Sequence, residues 1–130
     1  MSIIDLSIRM HAIVQEVNRT IKEHRLLDVK LYSYSEDGLV LGLNENLTYS
    51  HKFEIRFKNV FAVDCVMAWT IETEKDLIRL IDVSEEAKVI NMKYGVIKGN
   101  FVFELQGEDD KLFYIIAEEI SFAEHVVKYY

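Results

Sequence analysis

No proline occurs in this chain, and only one cysteine and five glycines do. Without proline there is no slow prolyl isomerisation and no polyproline segment, so the turns must be made by glycine, asparagine and aspartate. Cys65 has no partner in the chain for a disulfide, which fits a reduced compartment, and a cytoplasmic location is expected. Asp5 and Arg9 interrupt the MSIIDLSIRM start, so no secretory signal is expected. No apolar run approaches the ~20 residues of a membrane span. The Asn46-Leu47-Thr48 sequon then carries no glycan.

Positive charge is also scarce. The chain has 15 Lys and Arg against 22 Asp and Glu, a formal net charge of −7. Residues 1–65 hold 8 basic and 9 acidic side chains and residues 66–130 hold 7 and 13, giving −1 and −6, so the acidity sits in the second half. Such a field repels nucleic acid and anionic membranes and favours a basic protein partner.

Recognisable chemical motifs are missing too. His11, His24, His51 and His125 have no metal-ligand spacing to one another or to Cys65, and no phosphate loop or dinucleotide fingerprint follows a strand. No metal or other cofactor is expected. Cys65, between Val63, Val66 and Met67, reads as a core residue whose thiol is inert. Asp64 stands in an apolar strand and needs a partner, either a backbone N–H or Arg56. Asp64, Glu104 and Glu118 are a list any acidic chain allows rather than a carboxylate pair. Tyr32 and Tyr34 share a strand face with Lys30 but lack the positive surroundings of a base-stacking surface. No catalytic residue stands out, and the chain is not expected to be an enzyme.

What is present is an architecture. A chain that is half hydrophobic and 28% charged folds rather than staying disordered, and 130 residues suit one globular domain over 1–130. Apolar positions at Ile3, Leu6, Met10, Ile13, Val14, Val17 and Ile21 predict an amphipathic helix over Ile3 to Leu26. The period then changes to two. Leu27, Val29 and Leu31 alternate with polar neighbours, Ser35 to Gly38 turns the chain, and Leu39, Leu41 and Leu43 return as a hairpin. Phe53, Ile55 and Phe57 oppose Lys52, Glu54, Arg56 and Lys58, and apolar alternation runs on to Ile71. The whole stretch from Phe53 to Ile71 reads as one long ribbon at the centre of the fold, covered on both faces beyond Asn59. Thr70 to Glu86 is compatible with a capped helix or a strand, since Thr73 and Asp76 resemble a capping box. Val89 to Tyr94, Phe101 to Leu105 and Leu112 to Glu124 read as strands, the last with a bend near Ala117. The fold class is therefore α+β, an N-terminal amphipathic helix packed on a curved, mainly antiparallel β-meander of about six to eight strands.

Three acidic clusters are the candidate partner surface: Glu72, Glu74 and Asp76; Glu108, Asp109 and Asp110; and Glu118, Glu119 and Glu124. Brought together they would dock a basic protein, with Trp69, Tyr94, Tyr129 or Tyr130 as aromatic anchors. The hairpin VxLxxxxxxGxVLxL from Val29 to Leu43, the IxFxNV strand from Ile55 to Val60 and the FxFxL…LxYIIAE pair from Phe101 to Glu118 resemble small bacterial immunity proteins of polymorphic toxin systems. That resemblance implies a protein that binds a cognate toxin and blocks it, often through an acidic surface that meets a basic nuclease, and it assigns no site residue. The expected function is a non-enzymatic binding module of this inhibitory kind. The alternative is a small-ligand domain using the concave face of the sheet. Open strand edges would also allow a homodimer.

Overall fold

The computed structural model describes residues 3–45, 50–82, 84–95, 99–124 and 128–129, so the Asn46-Leu47-Thr48 sequon, His125 and Tyr130 lie outside the described residues. Helix α1 spans Ile3–Ile21, and strands β1 Leu26–Ser35, β2 Gly38–Asn44, β3 Ser50–His51, β4 Phe53–Asp64, β5 Ala68–Glu72 and β6 Ile78–Ile81 follow. Helix α2 covers Ser84–Tyr94, and β7 Phe101–Gln106, β8 Leu112–Ala123 and β9 Lys128–Tyr129 complete the order. Seven strands form one antiparallel sheet in the order β5-β1-β2-β4-β8-β7-β6, curled into a half-barrel, while β3 and β9 make a separate two-stranded ribbon. The α+β class with its N-terminal helix and antiparallel sheet is the one read from the sequence.

Met10, Val14, Val17 and Ile21 form the buried stripe of α1, at the expected spacings of four and three. They share one core with the inward residues of every strand of the large sheet, such as Val29, Leu41, Phe57, Trp69, Leu80, Phe103 and Ile115. Phe57 and Phe103 are fully buried with ring centroids 5.3 Å apart, edge to face. The concave side is therefore filled by α1 and its contacts. The helix stops at Ile21 rather than Leu26, because a turn closed by the Glu23 and His24 amides on the Thr20 and Ile21 carbonyls redirects the chain into β1.

The β1–β2 hairpin turns at Gly38, whose φ of +128° suits glycine alone and whose missing Cβ would stand 2.4 Å from the Phe57 carbonyl oxygen. Close approach of β2 to β4 thus depends on that residue.

Three expectations are corrected. The long ribbon from Phe53 to Ile71 is broken at Cys65, since β4 ends at Asp64 in the middle of the sheet and β5 lies at its far edge beside β1. Both pieces alternate because both present every second residue to one core, and no glycine or proline marks the crossing. Beyond Asn59 the strand is not covered on both faces: Val60, Phe61 and Ala62 are half-buried, and Val63 and Asp64 are exposed. Asn59 adopts φ +52° and the pairing with β8 slips between Val60 and Ala62, a bulge facing Ala117, where the bend in β8 was expected. Finally, Val89 to Tyr94 belongs to α2. Ala87, Ile90 and Tyr94 pack against Ile81, Val102 and Ile116 on the convex face, and Gly95 at φ +63° closes the helix by donating to the Asn91 carbonyl. Thr70 to Glu86 thus resolves into the end of β5, a turn, β6 and the start of α2. Thr73 is no cap there, because its hydroxyl donates to the Arg25 and His24 carbonyls.

The edges of the sheet are closed by side chains. On β6 the Asn18 amide of α1 accepts from the Leu77 and Ile78 amides at 2.9 and 3.1 Å and donates to the Ile78 carbonyl at 2.8 Å. On β5 the Glu72 amide donates to Gln106 Oε1 at 3.3 Å, Gln106 Nε2 donates to the Glu72 carbonyl at 3.3 Å, and the Thr70 amide donates to Glu108 Oε1 at 2.6 Å. Trp69 reaches across the same seam, its indole N–H donating to the Gln106 carbonyl at 2.9 Å and its ring lying 5.0 Å from that of Phe113. The half-barrel is bridged here by side chains where a closed barrel would have a ladder.

Candidate functional site

Curling the sheet brings the β5–β6 connection to the β7–β8 turn. Glu108 to Lys111 form that turn, with Asp109 and Asp110 both at positive φ of 53° and 63° and the Lys111 amide donating to the Glu108 carbonyl at 3.0 Å. Aspartate tolerates this left-handed geometry, and two such residues in succession match the twist of a hairpin. Gly107 is required beside it: a Cβ there would stand 2.8 Å from both the Lys111 carbonyl and the Phe113 ring.

An open groove of about 550 Å³ lies along the seam, lined by Glu72 and Lys75 on one side and by Glu108, Asp109 and Asp110 on the other, with Leu26 at its edge. Four carboxylates face one ammonium, a net charge of −3, and Lys75 lies 3.7 Å from Asp110. Leu26 is 51% exposed. A second groove shares Lys75, Gln106 and Asp110 with the first and ends at Leu112, which is also exposed. Charged side chains line both grooves, with one exposed leucine in each.

Of the three acidic clusters, the fold joins parts of two. Glu72 meets Glu108, Asp109 and Asp110 at the groove, whereas Glu74 is exposed outside it and Asp76 turns to Lys22 at 2.5 Å. The third is dispersed. Glu118 accepts from Asn59 at 2.8 Å, Glu119 points to the opposite face in register with Lys58, and Glu124 accepts from Thr20 at 2.7 Å. Trp69 is buried and Tyr94 is engaged with Asp64, so neither is a free anchor. The main chain of Tyr129 pairs with Ser50 in the ribbon. Leu26, Thr70, Lys75 and Gln106 belong to no motif in the sequence, and only the curl of the sheet brings them to one groove.

Among the described residues Asp64 is bonded to neither a backbone amide nor Arg56. The Tyr94 hydroxyl donates to it, Lys93 lies 3.7 Å away, and Arg56 instead approaches Glu54 at 3.6 Å. Asp64, Tyr114, Glu104 and Arg79 are successive register partners across β4, β8, β7 and β6, so they share one face. Arg79 binds both Glu104 oxygens at 3.1 and 3.2 Å and Glu86 at 2.8 Å. Burial pushes the Tyr94 and Tyr114 hydroxyls above the ordinary value of 10.0, with Asp64 and Glu104 adding to the effect. Burial likewise raises the half-buried Cys65 thiol, and neighbouring Asp64 adds to it. The row ties α2 to the sheet.

Because these tyrosines ionise later in the folded than in the unfolded chain, the stability they contribute is complete below pH 10 and is lost as pH rises through the folded values. Ultraviolet titration is therefore expected to show late ionisation from Tyr94 and Tyr114, with part of that late amplitude lost in Tyr94→Phe. A single transition at the ordinary value contradicts the packing described for α2.

One position of β4 departs from its polar face in burial. Glu54, expected on the polar face, is buried and bonded to the fully buried His51 at 3.0 Å, with the Tyr32 ring 4.8 Å from the imidazole. Among the described residues no buried side-chain nitrogen or oxygen lacks a partner, and no group of three metal-ligating side chains converges. No described helix is long and apolar enough to cross a membrane.

The chain matches no family model, no curated protein and no solved structure. Its functional reading rests on this geometry.

Proposed function

We propose that this protein is a non-enzymatic binding module, an immunity-type inhibitor that occludes a basic partner protein through the acidic groove at the barrel seam. The observation that carries this reading is the convergence of Glu72, at the end of β5, with Glu108, Asp109 and Asp110 of the β7–β8 turn around an open groove flanked by exposed Leu26. Fixed negative charge in a cleft steers a cationic partner and raises its encounter rate, and an exposed leucine within the charged rim supplies the desolvated contact that holds it. A cytoplasmic setting, where Cys65 stays reduced, belongs to the same proposal.

The test is kinetic. Association with the basic protein that co-purifies from the native cell is expected to slow by about tenfold between roughly 0.05 and 0.5 M salt, as the Debye length shrinks to a few ångströms. A rate indifferent to salt, or a partner that is itself acidic, counts against the groove.

A further inference from the structure

We propose that the groove receives its partner as an added β-strand, an extended basic segment laid along the edge of β5 in place of its side-chain caps; this rests on the basic-partner reading above. Trp69 and Ile71 of β5 point into the core, opposite Val29 and Leu27 of β1, while the main chain of Thr70 and Glu72 reaches outward across the seam. What meets it there is not a strand but the side chains of Gln106 and Glu108.

The two edges of the sheet are unequal in this respect. Asn18 seals β6 with three bonds of 2.8 to 3.1 Å and is itself 8% exposed, so the desolvated groups it satisfies have no alternative partner. On β5 both Gln106 bonds are 3.3 Å long and solvent-exposed, and the Glu108 carboxylate is exposed as well. An incoming backbone offers N–H and C=O groups at the ~2.9 Å of a regular ladder and replaces both caps without stranding a buried group. Once released from Thr70, Glu108 is free to pair with a cation.

The lining sets the chemistry of the occupant. Residues of the added strand on the Glu72 side face the acids of the groove and must be Lys or Arg, whose aliphatic stems cover Leu26 on that same face, and those between them lie on the side of Trp69 and Ile71 and must be apolar. A second copy of this chain fits poorly, because it would bring the same net −3 groove toward its own image.

The probe is a short capped peptide of alternating lysine and valine, with a version N-methylated on the residues whose amides would face β5 and a glutamate–valine version as controls. Binding is read from the single tryptophan, which lies on β5, and from hydrogen exchange at Thr70 and Glu72. The lysine peptide is expected to bind, to slow exchange at both amides by about tenfold or more, and to lose about tenfold in affinity on N-methylation. Thr70→Pro, which removes an outward N–H while leaving the Trp69 and Ile71 register intact, is expected to lose the same factor. Equal binding of the N-methylated peptide, or unchanged exchange at Thr70 and Glu72, overturns strand addition and leaves the acidic groove standing. Equal binding of the glutamate peptide overturns both, and absence of lysine-peptide binding overturns the strand.

Discussion

Asn18→Ala is expected to destabilise the protein by about 3–4 kcal/mol, measured by chemical denaturation. The substitution leaves the Leu77 and Ile78 amides and the Ile78 carbonyl without the partner that now bonds all three. Each buried backbone group so stranded costs roughly 1–3 kcal/mol, and the better helix propensity of alanine returns only about 0.5. Gln106→Ala removes a comparable amide from the other edge, yet water reaches the seam, so a loss of about 1 kcal/mol or less is expected. A larger loss at Gln106 than at Asn18 would mean that the two edges are not closed as described.

Neutralising the turn at the groove is expected to slow partner association by about ten- to a hundredfold at roughly 0.1 M salt, with a smaller change in dissociation. The variant Glu108→Gln, Asp109→Asn, Asp110→Asn removes three negative charges while conserving the conformation. Glutamine still accepts from the Thr70 amide, and asparagine tolerates the positive φ at 109 and 110. The control is Glu118→Gln, Glu119→Gln, Glu124→Gln, which changes net charge equally but away from the groove. Its association rate is expected to stay within about threefold of the parent, because contacts beyond a Debye length of ~10 Å are screened. Equal slowing by both variants would show that net charge alone steers the partner.

Much of the scaffold is legible in the chain because local period and turn chemistry agree there. The α1 stripe, the hairpin around Gly38 and the β7–β8 pair each combine a clear repeat with a residue that permits the turn. The failures share a cause. Val89 to Tyr94 offers apolar residues compatible with either period, and only packing of Ala87, Ile90 and Tyr94 on Ile116 selects the helix. The break at Cys65 is unmarked because β4 and β5 feed the same core from different places. Glu54 is buried through its neighbour His51, which no alternation rule detects. The groove is harder still, since Glu72 and Glu108 are 36 positions apart and meet only because the sheet curls.

Hydrogen-exchange mapping of the native complex tests the groove most directly. With the co-purified basic partner bound, protection is expected to rise along Ala68–Glu72 and through the Gly107–Lys111 turn while the exposed face of α2 keeps its free-state exchange. Protection centred on Val89 and Met92 of α2, with the seam unchanged, would place the partner elsewhere and contradict the role assigned to the groove.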